Sequence, residues 1–490
     1  MRKAQHFVKA VLFVLLFSGV LFCLSRVFSR PHALFWAEET GMDLVHRYKR
    51  QYDICFAGTS IVIANVSNQE LYEKYGIAAV SVGEPLQPLF LTKYVIEEVL
   101  QYQRPKAVVV DTRGLFYSEE DIRERVNENE EGIVHYALDS IHSPGIKLKA
   151  VKEIRERYKD VNYKEYCFSL YNNHFRWKDL SETNFRGYGD SVCMNGNVML
   201  TDLHAVNGEI ETNQRISKEN ERELLLIKEA CEKYGTELVL MTGYLEPKLS
   251  KREQLRAISE KDGIEYLDFN AVAEEIGFRE WMQSDYIHFN VAGACLWSDY
   301  LGRRFNDRYS VTEYSKGLRS LYHQQQELHK EYLDHVKTKR FLMKKNRFKS
   351  FLQKAAQLNL RDYSIFVAVY DDAFYQLDEE GRELLKKLGL KGPECFRGSY
   401  VGVCLSEKIG QKESEDERVE LSGSSGTLTY HLESAGANCK DGAMVSIKVD
   451  DEEYARGTRG FNIMVYDNKL QKAVLSQCFD TFAESDPLGT

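Results

Sequence analysis

Three residues in this 490-residue chain have the types and spacing for acyl chemistry. Ser60 closes the stretch FAGTS, directly behind the apolar run Ile54-Cys55-Phe56, while Asp285 and His288 stand three apart in SDYIHFN. A serine hydroxyl attacks a carbonyl efficiently only when a base takes its proton, and that base needs a third group to orient it. With Asp285 at the start of a turn, its carboxylate reaches one imidazole nitrogen of His288 and leaves the other facing outward. Taken singly these signals are weak, since G-x-S arises by chance and D-x-x-H is commonly a surface helix pair. Whether they meet depends on the elements that carry them.

From 53 to 305 the chain alternates short apolar runs with amphipathic stretches. DICFAG (53–58), AAVSVG (78–83), KAVVVDTR (106–113), ELVLMTG (237–243) and IEYLDF (264–269) read as strands. Between them, LFLTKYVIEEVLQYQ and ENERELLLIKEACEKYG read as helices, the second stopped by Gly235. Near-continuous apolar strands separated by helices predict an α/β fold with a parallel sheet covered on both faces. Ser60 then lies at the carboxyl edge after the first strand, and SDYIHFN lies at the same edge between the last strand and the helix VAGACLWSDYLGRRF. An insertion from Gly114 to about Arg215 follows the third strand, where open α/β sheets bind ligands. It reads either as a substrate lid or as a buttress of the sheet.

With these contexts in place, DICFAGTSIVIANV, AAVSVGEPLQP, PKAVVVDTRG and SDYIHFNVAG resemble the SGNH (GDSL-like) hydrolase superfamily, in its membrane-anchored extracytoplasmic branch. The resemblance runs from Asp53 to about Phe305. It implies a flavodoxin-like three-layer α/β/α domain with Ser60 as nucleophile, His288 as base and Asp285 as its partner. It also implies an oxyanion hole from the amides of Ser60 and Gly83 and an asparagine after the third strand. That asparagine is missing, because this chain has TRGLFYS where the G-x-N-D block is expected. Gln87 or Arg113 is the candidate substitute donor. Losing one oxyanion donor typically costs about 10²- to 10³-fold in turnover.

Outside this region, residues 306–358 form a charged, helix-forming linker whose basic end, KTKRFLMKKNRFK, reads chiefly as a solvated face. Residues 359–490 read as a compact β-rich domain, with strands in SIFVAVY and FNIMVY, a turn at YDNK and a helix in DEEGRELLKKL. The segments YDDAFYQLDEEGRELLKKLG, FRGSYVGV and RGFNIMVYDNKLQKAVLSQCFDTF resemble the interleukin-like EMT-inducer domain, which implies a β-sandwich-like module, here circularly permuted because the R-G-x-N strand follows the Y-D-D segment. The resemblance implies a carbohydrate-binding module contacting sugar through Asp371 or Asp372, Arg397 and Arg459. FRG replaces the usual F-R-D, which removes one carboxylate from that set. The structural alternative is that the aspartates cap the helix that follows and the arginines form ion pairs.

Ala10–Ser25 is uncharged and almost wholly apolar, bounded by Lys9 and Arg26. It reads as an uncleaved signal anchor over 10–28 with a cytoplasmic tail over 1–9 and the bulk of the chain extracytoplasmic; a cleaved signal peptide is the rival, but no A-x-A-like site follows. Arg26 and Arg30 nearly balance Arg2, Lys3 and Lys9, so charge does not set the orientation. The net charge of -9 argues against a nucleic-acid partner. The ten cysteines show no C-x-x-C pair; Cys55, Cys404 and Cys478 read as core, and Cys167 with Cys193 is a candidate disulfide. No metal, nucleotide or redox cofactor is indicated. Two functions follow. One is a membrane-anchored serine esterase or O-acyltransferase acting on cell-surface glycan. The other is an inactive hydrolase-fold protein that binds surface polysaccharide or assists a membrane-bound acyltransferase partner.

Overall fold

The computed structural model describes residues 2–28, 41–127, 133–167, 170, 174, 177, 215–243, 249–285, 287–343, 347–406 and 408–481. Two compact units, Met1–His329 and Lys330–Thr490, divide within the helix Lys316–Met343.

In the first unit β1 (Ile54–Gly58), β2 (Ala79–Gly83), β3 (Ala107–Asp111), β4 (Glu237–Thr242) and β5 (Glu265–Asp268) form one parallel sheet in the order β2-β1-β3-β4-β5. This is the flavodoxin-like order, whose chain direction switches between β1 and β3. The apolar runs are continuous because both faces are buried, and their two-residue period sorts the side chains. Cys55, Ala57, Val80, Val108, Val110, Leu238 and Leu240 enter one core. Ile54, Phe56, Ala79, Val109, Val239 and Met241 enter the other, against Trp297, Leu301 and Phe305 of the helix Val291–Asn306. The first core is closed by helices Leu89–Tyr102 and Lys218–Lys233. The latter is capped by Ser217, which accepts from the Asn220 amide, and is followed by Gly235 at φ 68°.

The insertion begins with a 3₁₀ turn at Arg113–Phe116 and continues through helices Glu119–Asn127, Ile133–Ser140 and Pro144–Arg157. Leu115, Phe116, Tyr117, Ile122, Val134 and Ile154 join the first core, so this part buttresses the sheet. Residues 178–214, with Cys193 among them, lie outside the described residues. Among the described residues the cysteines form no disulfide, and Cys55, Cys404 and Cys478 are buried.

The helix Lys316–Met343 is more than a solvated spacer. Its N-terminal half buries Leu318, Tyr322, Gln325 and His329 in the first unit. The Tyr322 hydroxyl donates to the Ala79 carbonyl at 3.0 Å, and its ring stacks on Tyr72 with centroids 3.9 Å apart. At the chain start, the helix Arg2–Phe28 contains a span, Gln5–Ser25, with mean hydropathy 2.6, long and apolar enough to cross a membrane.

The second unit packs two antiparallel sheets. One has the order β14-β13-β6-β7-β8 and comprises β6 (Tyr363–Tyr370), β7 (Ser399–Cys404), β8 (Ile409–Ser414), β13 (Gly460–Asp467) and β14 (Lys472–Phe479). The other has the order β12-β11-β10-β9 and comprises β9 (Val419–Ser425), β10 (Leu428–Ala435), β11 (Met444–Val449) and β12 (Glu452–Glu453). Central strand β6 shows why its sequence is apolar throughout. Phe366 and Ala368 face the second sheet with Leu432 and Ile447, while Ile365, Val367 and Val369 face helices Phe348–Ala355 and Glu379–Lys387. The two motif strands, far apart in sequence, are direct neighbours, with Gly460 opposite Tyr370.

Phe366 is fully buried between the two sheets, with its ring 5.6 Å from that of Tyr430. Phe366→Ala should cost about 3–5 kcal/mol, read by denaturant unfolding of the C-terminal unit within the full chain. A cost below about 1 kcal/mol would mean that this side chain does not join the two sheets.

Candidate active site

Ser60 is presented by a tight exit from β1. Gly58 has φ 143°, and a Cβ there would lie 1.8 Å from Asp111 Oδ2, so only glycine lets the two strand ends approach. Asp111, the last residue of β3, uses that closeness. Its carboxylate accepts the Thr59 amide, the Thr59 hydroxyl at 3.2 Å and the Arg113 amide at 3.0 Å. Thr59 in turn caps the short helix Ser60–Ala64 by accepting the Ile61 amide at 3.4 Å. Thr59, Ile61 and Val62 are buried, whereas Ser60 is partly exposed.

The loop carrying His288 is held over this turn by one side chain. Asn65, fully buried just after the Ser60 helix, donates to the Ile287 carbonyl and accepts the Phe289 amide, both at 2.9 Å. On the other side Asn290 caps the helix Val291–Asn306, accepting the amides of Ala292 and Gly293, and donates to the Trp281 carbonyl at 2.7 Å. His288 is therefore fixed by amide side chains at 65 and 290 that flank it in space. Its Nε2 lies 2.7 Å from Ser60 Oγ, and its Nδ1 lies 2.7 Å from Asp285 Oδ2. The second oxygen of Asp285 accepts the amides of Ile287 at 2.9 Å and His288 at 2.8 Å. Burial pushes the Asp285 carboxyl up, but the His288 hydrogen bond and charge together with the two amides outweigh it and hold the group below the usual aspartate range. An ionised Asp285 requires the proton on Nδ1, which leaves the Nε2 lone pair aimed at the serine hydroxyl.

Gly83 sits where an oxyanion donor is expected. A Cβ on it would come within 2.6 Å of the Thr59 carbonyl oxygen and 2.5 Å of Val62, so glycine is required for β2 to end beside the serine turn. The next residue, Glu84, donates its amide to the Gly58 carbonyl at 3.2 Å. Glu84 is partly exposed, and desolvation pushes its carboxyl above the usual range. At the end of β3 the side chains are engaged elsewhere. The Thr112 hydroxyl pairs with Thr242 at 2.8 Å, Arg113 is buried, and Leu115 and Phe116 are in the core. Gln87 is buried and donates to the Thr92 hydroxyl at 2.8 Å.

The four positions expected from the motif likeness to contact sugar, Asp371, Asp372, Arg397 and Arg459, fall around one end of β6 and β13. Asp372 is buried and accepts the amides of Arg397 at 2.7 Å and Tyr375 at 3.0 Å, so it holds a turn. The following helix is capped instead by Asp378, which accepts the Gly381 amide at 3.0 Å. Arg459 pairs with Asp480 through Nη2 at 2.8 Å and Nε at 3.2 Å. Asp371 and Arg397 have positive φ, 62° and 54°, and the exposed Arg397 guanidinium lies 5.4 Å from the Phe396 ring centroid. The side chains of Asp372 and Arg459 thus have structural partners, while Asp371, bridged to Gly436, and Arg397 have left-handed backbone.

Sequence motifs located Ser60, Asp285 and His288 but not Asn65, Asn290 or Asp111. The only prior signal for Asn65 is a polar residue directly after the apolar run IVIA, residues 61–64.

No family model and no curated protein matches the chain. Among solved structures, a Bacteroides fragilis protein provisionally described as an acylhydrolase aligns over 54% of this chain and 94% of its own, with 10% identity and a TM-score of 0.28.

Two outcomes follow from this geometry. Asn65→Ala leaves the buried Phe289 amide and Ile287 carbonyl without their partner, so stability should fall by about 1–3 kcal/mol for each group left unpaired. A loss under about 0.5 kcal/mol in denaturant titration would contradict the clamp. The depressed Asp285 carboxyl stabilises the fold fully above the ordinary aspartate value of 3.8, and that contribution is lost as pH falls through its lower folded value. Asp285→Asn should therefore show a shallower loss of stability in the acid range than the parent chain.

Proposed function

We propose that the chain is an SGNH-type serine hydrolase, an esterase or O-acyltransferase, with Ser60, His288 and Asp285 as its catalytic residues. The supporting observation is the continuous hydrogen-bonded line from Ser60 Oγ through the His288 imidazole to Asp285 Oδ2, with both links at 2.7 Å. In this reading Ser60 Oγ attacks an ester carbonyl while His288 Nε2 takes its proton. Asp285 stabilises the imidazolium without accepting the proton. The amides of Ser60 and Gly83 receive the tetrahedral oxyanion. Collapse expels the alcohol, protonated by His288, and leaves an acyl group on Ser60. Water or a sugar hydroxyl, deprotonated by His288, then completes hydrolysis or transfer.

The apolar helix near the N-terminus is proposed as a signal anchor that leaves the bulk of the chain outside the cytoplasm. Cell-surface polysaccharide is the proposed substrate, O-acetyl the acyl group that fits this setting. The second unit is proposed as an interleukin-like EMT-inducer module holding the polymer, Asp371 and Arg397 being the positions whose side chains are least committed to structural pairs. The residues ending β3 favour a second reading. With Thr112 paired to Thr242 and no asparagine there, the oxyanion hole has lost a donor, and a binding or assembly role beside a membrane-bound acyltransferase follows if turnover is absent.

Hydrolysis of a chromogenic acetate and of an acetylated polysaccharide by the chain should fall by about four orders of magnitude or more in Ser60→Ala. Asn65→Ala, which touches no reacting atom, should lower kcat more than it changes KM. Turnover that survives Ser60→Ala would rule out the serine mechanism. No turnover from the folded chain would move the assignment to the binding role.

A further inference from the structure

A second polar cluster lies inside the first unit, in the layer between the sheet and the helix Lys316–Met343. The helix Asn68–Tyr75 contributes Glu70, the helix Val291–Asn306 contributes Cys295, and His329 comes from the third helix. All three are buried, at 8%, 7% and 3% exposure. Their ligand atoms lie within 4.8 Å of one another, and Cys295 Sγ is 3.3 Å from His329 Nε2. The Ser67 hydroxyl is 3.2 Å from the same nitrogen.

Two ligands of one tetrahedral zinc, with bonds of about 2.3 Å to sulfur and about 2.0 Å to nitrogen, lie about 3.5 Å apart. The observed sulfur–nitrogen separation is close to that without rearrangement. The donor set, one thiolate, one imidazole and one carboxylate, matches a borderline-soft divalent ion and not calcium or magnesium, which take oxygen ligands. Charge also closes. A thiolate and a carboxylate cancel a divalent cation, so the occupied site carries no net charge into the interior. Lys74 does not prevent this. It contacts Glu70 Oε1 at 2.7 Å and also Asp299 at 2.9 Å, so it keeps a partner when the other Glu70 oxygen turns to a metal.

We propose that Glu70, Cys295 and His329 form a structural site for a zinc-type divalent cation, with the fourth position beside the Ser67 hydroxyl for that oxygen or a water. Binding displaces the Cys295 thiol proton to solvent and forms the sulfur–metal bond. The ion would join three helices within the first unit through residues other than Ser60, Asp285 and His288. The cluster's rival role is a metal-free hydrogen-bonded set in which the thiol donates to the imidazole.

The test uses the tag-free full chain, dialysed against zinc-containing and then metal-free buffer. Elemental analysis should return about one zinc per chain. Cobalt(II) in its place should give a thiolate-to-cobalt charge-transfer band in the near ultraviolet. Cys295→Ser should abolish that band, and Glu70→Gln, which keeps shape and a hydrogen-bond acceptor for Lys74, should weaken binding while the fold is retained. Folded wild-type chain that holds neither zinc nor cobalt above background overturns the proposal and establishes the hydrogen-bonded set. A band that persists in Cys295→Ser overturns it as well.

Discussion

The two hydrogen bonds of the Asn65 side chain are the constraint on which the site geometry depends. Serine and histidine stand 228 positions apart, and strand pairing alone brings them only to the same edge of the sheet. Closing the last few ångströms requires the backbone on either side of His288 to be held against the Ser60 helix. Asn65, at the end of that helix, receives the Phe289 amide and donates to the Ile287 carbonyl, so it grips the backbone on both sides of His288. The same five-residue helix therefore presents Ser60 at its start, and Asn65 at its end anchors the loop that carries His288.

Around this clamp the parallel sheet supplies rigidity. Asp111 ties the end of β3 to the turn after β1, across the point where strand order switches, and Gly58 and Gly83 are the two positions where a side chain would prevent that convergence. Asp285 stays ionised because two amides and the imidazole face it, which outweighs its partial burial. A half-buried carboxylate at this position still polarises the imidazole, since both its oxygens are satisfied within the loop.

Much of this was legible in the sequence, and the limits have physical causes. The five strands of the first unit show as near-continuous apolar runs because both sheet faces are covered, and the observed elements fall within those runs. The pairing of Asp285 with His288 is local, so spacing alone suggests it. Asn65, Asp111 and the Glu70, Cys295 and His329 cluster depend on contacts between distant elements, and no periodicity encodes them. The helix Lys316–Met343 misleads for a related reason. Its charged residues suggest a solvated face, while the spacing of Leu318, Tyr322, Gln325 and His329 marks a buried stripe that includes two polar side chains. In the second unit, motif likeness drew attention to Asp372 and Arg459, whose observed partners are the Arg397 and Tyr375 amides and the Asp480 carboxylate.

The central claim is that His288 makes Ser60 a nucleophile. Reaction of the folded chain with a fluorophosphonate, followed by peptide mass spectrometry, tests it without knowledge of acyl group, glycan or partner. Phosphonylation is expected at Ser60, slowed strongly in His288→Ala while the fold persists. A folded chain that stays unmodified, or is modified at another serine at a rate indifferent to His288, would contradict it.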